Sequence, residues 1–323
     1  MNCVEYLKIY QKIPYKIFEN ALYQKKIFHA YLLVGEKGTP LLNISKFLAA
    51  SIIDPDSSPF APEDSLILKR VFEENYVDLR VFDTKKGPIK INEIRNLEEE
   101  FSKTASEKTN KKVYIINLIE NLSLDATNAL LKFLEEPLED CYALLTTEND
   151  KRLLPTILSR VQTVHFTLLP QDALIFDAIS LGVDEEKAEI LSFLFNDAEL
   201  IKENSTNNKL LKIVDLATHT LDLSNNYPEL LSYELNVVNK TIKEKTEYRE
   251  FFDILILFFK EALKVKYKEQ TVLEKYDKIL SKLINLSSIE DKVLILMNAR
   301  NEINYNLNLN LLTFDTFNKI FGK

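Results

Sequence analysis

A short loop near the start of the chain has the outline of a phosphate-binding loop. It follows an apolar run at 29–34 and occupies residues 35–42, which read GEKGTPLL. A working loop of this kind surrounds phosphate with backbone N–H groups, places a lysine against the terminal phosphates and offers a Ser or Thr hydroxyl to magnesium. Gly35 and Gly38 supply the flexible backbone for such a loop, so the remaining positions decide whether it can bind nucleotide.

Those remaining positions lack the required groups. When the two glycines are aligned with the pattern, Pro40 replaces the last glycine, Leu41 the lysine and Leu42 the magnesium-binding hydroxyl. Proline has no N–H to donate, and leucine neither donates a hydrogen bond nor carries charge. Lys37 precedes Gly38 instead of starting the helix, so we interpret it as a surface lysine. The loop is therefore predicted to hold neither ATP nor magnesium.

The second half of an ATP site is missing as well. It normally consists of two carboxylates at the end of a central strand, one for magnesium and one for the attacking water. Here the apolar run 113–116 ends in Asn117 and Leu118, and Glu120 lies too far along to replace them. Either defect alone is typical of a chain that never bound nucleotide. Both together, in an element order that suits an ATPase, favour a degenerate ATPase.

The first half of the chain alternates helix and strand patterns. Helices are predicted from Pro14 onward and at 41–53, 92–104 and 125–136. Short apolar runs typical of buried strands occur at 29–34, 77–82, 113–116, 142–146 and 161–166. Strands separated by helices predict a parallel sheet with helices on both faces.

Strand patterns stop after residue 167, where Leu-Leu-Pro at 168–170 interrupts the chain. Helical patterns follow at 172–180, 185–195, 210–223, 248–267, 271–286 and 289–303, with a polar linker at 204–208. We predict an ATPase-like α/β domain at 1–167, a small helical lid at 168–207 and an all-helical bundle at 208–323.

Composition limits the classes of function. The formal charge of −8 argues against a general nucleic-acid coat, because such affinity depends on many lysines and arginines. No apolar run is long enough to cross a bilayer and no signal peptide is recognisable, so a cytosolic protein without membrane contact is expected. Cys3 and Cys141 lack the paired spacing of a zinc site and are predicted to be buried free thiols, without any bound metal.

The segment 123–137 predicts one well-delimited helix. Ser123 suits the N-cap and Pro137 ends the helix. Glu135 and Glu136 lie in the last turn, where a carboxylate opposes the helix dipole. A partner elsewhere in the fold is one interpretation of these glutamates, and simple exposure, which is commoner there, is the other.

Four segments in order and spacing resemble a known family. They are HAY at 29–31, INEIRNL at 91–97, NALLKFLEEP at 128–137 and LLPTILSR at 153–160. The chain is similar in them to the clamp-loader subunits of bacterial DNA polymerase III, AAA+ proteins of the delta-prime and gamma/tau type. The resemblance covers about residues 14–167, and a looser one covers 299–308. It implies an AAA+ domain, a lid, and a helical collar that joins subunits.

The resemblance also implies a role for Arg160. In this family the arginine of a Ser-Arg-Cys motif reaches the gamma-phosphate of ATP on a neighbouring subunit as an arginine finger. Ser159 and Arg160 match that motif, whereas Val161 replaces the cysteine without touching the guanidinium. The zinc module that the family often carries is expected to be absent, since 52–75 contains no cysteine.

The implied function is a non-hydrolysing stator that helps place the sliding clamp on primed DNA. Its partners would be gamma/tau and delta subunits, with weak or indirect clamp contact and primer-template DNA in the assembled complex. Two family alternatives remain: an ATP-hydrolysing gamma/tau-type motor, which Leu41 and Asn117 oppose, and the clamp-opening delta subunit, in which Ser159-Arg160 is not expected. An unrelated helical scaffold is disfavoured by the strand–helix alternation.

Overall fold

A computed structural model describes residues 3–103, 105, 107, 109–305 and 307–322. Thr104, the predicted end of one helix, and Asn306, in the collar segment, lie outside the described residues. The chain divides into two compact units, Met1–Pro170 and Gln171–Lys323. The further division of the second unit into lid and collar stays a prediction.

The first unit contains a five-stranded parallel sheet, as predicted. Its strands are β1 Ala30–Val34, β2 Leu79–Asp83, β3 Lys112–Asn117, β4 Cys141–Thr147 and β5 Gln162–His165. They lie in the order β2-β3-β4-β1-β5, and every neighbouring pair is parallel. Together with the helices on both faces, this confirms the predicted AAA+ fold class. Each strand begins or ends within about two residues of its predicted bound, which is ordinary for such boundaries.

In the described part of the first unit, seven α-helices accompany the sheet. They are α1 Cys3–Tyr10, α2 Lys12–Tyr23, α3 Leu41–Ile53, α4 Leu66–Phe72, α5 Ile91–Phe101, α6 Leu124–Glu135 and α7 Pro155–Leu158. The bounds of α3 are those predicted from the sequence. Ser123 caps α6 by accepting a hydrogen bond from the N–H of Ala126, as predicted.

Both faces of the sheet are covered, which is why the three inner strands, β1, β3 and β4, are almost completely buried. On one face Tyr31 and Leu33 pack with α3 in a buried apolar cluster. On the other face Leu32 and Val34 pack with α5 and α6. Because all five strands run the same way, their carboxyl ends meet at one edge. The loop after β1 and the end of β3 therefore belong to the same edge of the sheet.

The second unit is helical throughout its described residues. Its helices are α8 Gln171–Ser180, α9 Glu185–Leu194, α10 Ala198–Asn204, α11 Asn208–Asp222, α12 Tyr227–Tyr233, α13 Asn239–Thr241, α14 Lys245–Lys266, α15 Asp277–Ile284, α16 Ile289–Glu302 and α17 Leu309–Phe321. A π-helical stretch, Glu234–Val238, joins α12 to α13. α14 forms the centre and packs against α9, α11, α15 and α16.

The phenylalanines of α14 explain why it lies at the centre. Phe251, Phe252, Phe258 and Phe259 are completely buried in one apolar cluster. Ile190 of α9 belongs to the same cluster, so a helix of the predicted lid shares the core of the bundle. The predicted helix at 271–286 is shorter than expected, because a 3-10 turn precedes α15.

Candidate functional site

The loop after β1 is tightly built. The N–H of Gly35 donates to the carbonyl of Thr147, 3.2 Å away, and ties the loop to β4. A Cβ at Gly35 would lie 2.9 Å from the side chain of Thr39, so a larger residue there would force Thr39 to move. Gly38 has a φ of 103°, a conformation that favours glycine. The backbone therefore retains the sharp turn of a phosphate loop.

The side chains of this loop place no cation at the start of α3, where a phosphate loop needs its lysine. α3 begins at Leu41, whose side chain is only 3% exposed and packs into the apolar cluster on its face of the sheet. Leu42 packs partly against the same cluster, and Pro40 precedes the helix without an N–H. Lys37 is exposed. The position where a lysine would contact phosphate is thus occupied by a core residue.

At the end of β3 the polar groups bond to one another. Asn117 is 3% exposed; its Nδ2 donates to Oδ1 of Asp83 at 2.8 Å, and its Oδ1 accepts from Oγ1 of Thr146 at 2.7 Å. Leu118 has a φ of 58°, and its N–H donates to the same Thr146 oxygen at 2.9 Å. Thr84 Oγ1 donates to the carbonyl of Leu118 at 3.2 Å. A neutral amide therefore stands where a magnesium-binding carboxylate would be needed.

The two threonines at the end of β4 form hydrogen bonds within the fold. Thr146 is completely buried in the network with Asn117, and Oγ1 of Thr147 accepts from the N–H of Asn149 at 3.1 Å. Glu120 accepts from the backbone N–H of Glu148 at 2.8 Å, so its carboxylate supports the β4 end. These contacts give each hydroxyl a structural partner.

Arg160 lies on the surface of the first unit. Pro155 occupies the first turn of α7, as predicted, and Arg160 follows the helix by two residues. Its side chain is 32% exposed. Its Nη1 donates to the carbonyl of Thr156 at 2.7 Å and to Oγ of Ser159 at 3.1 Å. Ser159 thus helps to hold the guanidinium. The motif alone did not indicate this hydrogen bond.

The sequence did not reveal the ionic partner of Arg160. Its Nη2 lies 2.7 Å from Oε1 of Glu135, in the last turn of α6. This pair brings the segments 128–137 and 153–160 together in space. Of the two interpretations of these glutamates, a partner elsewhere is correct for Glu135. The feature of the sequence that indicated a partner was the place of Glu135 in the last turn of a helix, where a carboxylate is unfavourable because of the helix dipole.

The site residues do not form one cluster. Among the described residues, the partners found for the Arg160 side chain are Thr156, Ser159 and Glu135, and none belongs to the loop 35–42 or to Asn117. Val161 packs partly against the apolar cluster shared with α6. The degenerate loop and the guanidinium are therefore separate features of the first unit.

Both cysteines are free thiols. Cys141 is buried, as predicted, and burial raises its pKa to about 12. The prediction is wrong for Cys3, which is only half-buried because it starts α1 at the border of the core, although burial raises its pKa to about 11. Within the described part of the chain, no group of three or more His, Cys, Asp and Glu side chains could hold a metal ion. The absence of a metal stays a prediction.

Every helix in the described part of the chain is too short or too polar to span a bilayer.

The chain is similar in sequence to subunits of DNA polymerase III. A family model described as DNA polymerase III, delta subunit, matches residues 10–170. The delta-prime subunit of DNA polymerase III from Bacillus subtilis is 29% identical over 306 residues, covering 91% of each chain. The tau subunit from the same organism is 28% identical over 277 residues, covering 78% of this chain and 48% of that protein.

A solved structure gives a broader likeness. The gamma-subunit-related protein of DNA polymerase III from Thermotoga maritima is 19% identical, covers 94% of this chain and 96% of its own, and has a TM-score of 0.44.

Proposed function

We propose that the chain is a delta-prime-type subunit of the DNA polymerase III clamp loader without its own ATPase activity. One contrast carries this proposal. Leu41, at the lysine position of the loop, is buried in the core, whereas the guanidinium of Arg160 is on the surface. Among the described residues, a core leucine stands where this loop would need a lysine, whereas Arg160 offers its cation to a phosphate of another chain.

The missing groups matter because nucleotide binding depends on charge. A phosphate loop needs a lysine against the terminal phosphates and a carboxylate for magnesium. Leu41 provides no charge, and Asn117 uses its amide to bond Asp83 and Thr146. Without these groups, the backbone turn at Gly35 and Gly38 does not hold ATP with magnesium.

In this proposal Arg160 serves the ATP of a neighbouring gamma/tau subunit. An arginine finger supplied by another chain stabilises the charge that develops on the transferred gamma-phosphate. A guanidinium suits the task because it stays protonated and presents N–H donors in a fixed plane. Among the described residues, no partner of the Nε of Arg160 is found, so this donor is available to a phosphate oxygen.

The remaining parts of the chain have a structural role in the proposal. The helical collar joins the chain to gamma/tau and delta, and the first unit presents Arg160 at a fixed place. The assembled loader then opens the sliding clamp and places it on primer-template DNA in the cytoplasm. The chain thereby assists loading without hydrolysing ATP.

The test is reconstitution with candidate gamma/tau and delta chains. We expect this chain to co-purify with both, and the ATPase activity stimulated by clamp and primed DNA to depend on its presence. Full stimulated activity without the chain would contradict the proposal. ATP hydrolysis by the isolated chain would instead favour a gamma/tau-type motor, and tight clamp binding by the isolated chain would favour a delta-type subunit.

A further inference from the structure

We infer that Glu135 is a positioning residue, which holds Arg160 against its own domain until the phosphate of a neighbouring subunit displaces it. This inference rests on the proposed function, since it concerns the same guanidinium. The inference adds one step to the proposed function. When Arg160 engages the neighbour's ATP, it exchanges the carboxylate of Glu135 for a phosphate oxygen.

The contacts of Arg160 divide into two kinds. Nη1 is held by two groups of its own short segment, the carbonyl of Thr156 and the hydroxyl of Ser159. Nη2 is held by the carboxylate of Glu135, which comes from a different helix. The first kind fixes where the guanidinium lies. The second kind occupies a donor that a phosphate oxygen could take.

The electrostatics of this corner favour such an exchange. Glu135 ends α6, where the unpaired carbonyls carry partial negative charge, so its carboxylate is unfavourably placed without a cation. Its side chain is 50% exposed and therefore free to turn toward water when it is displaced. A phosphate group carries more charge than a carboxylate and binds the same planar donors.

The pair also restrains the resting subunit. While Glu135 occupies Nη2, the charge of Arg160 is compensated within its own domain. A neighbouring phosphate must replace that contact, so the ion pair lowers the net gain from engaging ATP. Removing the carboxylate while leaving Thr156 and Ser159 in place should make engagement easier.

The test compares Glu135→Gln with Glu136→Gln in the reconstituted loader. Both variants remove one negative charge from the end of the same helix, but no ion pair of Glu136 is found among the described residues. We expect Glu135→Gln to raise kcat/KM for ATP about two- to fivefold, as suits a largely exposed ion pair. Glu136→Gln should leave it unchanged.

Other outcomes overturn the inference or the proposal beneath it. A fall in kcat/KM for Glu135→Gln would mean that the carboxylate supports the engaged state, and an equal rise in both variants would mean that only net charge matters. Either result, like an unchanged value, overturns the exchange. In an Arg160→Ala background Glu135→Gln should have no effect. If Arg160→Ala by itself leaves the rate intact, it is the arginine-finger proposal that fails.

Discussion

The end of β3 and the end of α7 use their polar groups in opposite ways. At the end of β3, Asn117 and Thr146 are buried and bond to each other, and nearby Leu41 fills the core. At the end of α7, the guanidinium of Arg160 is on the surface, and its partners among the described residues, Thr156, Ser159 and Glu135, are exposed. The fold uses the first set for stability and leaves the second accessible.

This difference separates two kinds of consequence. Removal of a buried hydrogen-bonded group lowers stability strongly, because the groups that it bonded are then left without any hydrogen-bond partner, from protein or from water. An exposed cation affects folding little and binding much. Substitutions at the β3 end should therefore change unfolding, and substitutions at the α7 end should change the activity of the complex.

Replacing Arg160 should have the largest effect. In Arg160→Ala, the gamma-phosphate of the served site loses its cation, and hydrolysis there should fall by about a thousandfold, as for other arginine fingers supplied in trans. The measurement is clamp-stimulated ATPase in the reconstituted loader, resolved for that site by single-turnover kinetics. Arg152→Ala, another exposed arginine of the same unit, is the matched control and should retain the full rate. An unchanged rate for Arg160→Ala would contradict the proposal that Arg160 is an arginine finger.

Leu41 should contribute to the stability of the fold and not to phosphate binding. Leu41→Ala removes a core side chain and leaves a cavity, so the free energy of unfolding should fall by about 2–5 kcal/mol. This free energy is measured by urea denaturation of the full chain, from the transition in which the first unit unfolds. Leu124→Ala is the control, because that leucine is 69% exposed. Equal stability of the two variants would show that Leu41 is not a core residue.

The hydroxyl of Thr146 should contribute less than the Leu41 side chain. Thr146→Val leaves the N–H of Leu118 and Oδ1 of Asn117 without their partner, which should lower the free energy of unfolding by about 1–3 kcal/mol. Thr163→Val in β5 changes the same group where no side-chain hydrogen bond of the threonine is found among the described residues. If both variants unfold at the same urea concentration, the buried network has no stabilising role.

The smallest effect is expected at Ser159. Ser159→Ala removes one of the exposed contacts to Nη1 of Arg160 but keeps the Thr156 carbonyl, so the stimulated ATPase rate should fall only about two- to fivefold. Ser102→Ala removes a similar exposed hydroxyl far along the chain, which donates to the carbonyl of Glu98, and serves as control. A loss as large as that of Arg160→Ala would mean that Ser159 itself contacts the reacting groups.

The sequence predicted much of the first unit, because its signals are local. Buried parallel strands are short apolar runs, and α3 and α6 have apolar faces and clear ends, so their positions follow from patterns of a few residues. The chemical defects at Leu41 and Asn117 are also visible in the residue types alone.

Other features depend on contacts between distant segments. Nothing near Arg160 in sequence indicates Glu135, since the pair joins the end of α6 to the end of α7. In the second unit, α10, α12, α13 and α17 were missed, although Asn308 caps α17 by accepting from the N–H groups of Asn310 and Leu311. That cap was the local signal for α17, whereas the shared core of α9 and α14 arises only on folding.

Titration of the purified chain with a fluorescent ATP analogue and magnesium shows whether the chain holds a nucleotide of its own. With Leu41 in the core and Asn117 in place of a carboxylate, we expect no saturable binding at concentrations that saturate a gamma/tau subunit measured alongside. Saturable binding of comparable affinity, displaced by unlabelled ATP, would contradict it, since the chain would then hold a nucleotide of its own.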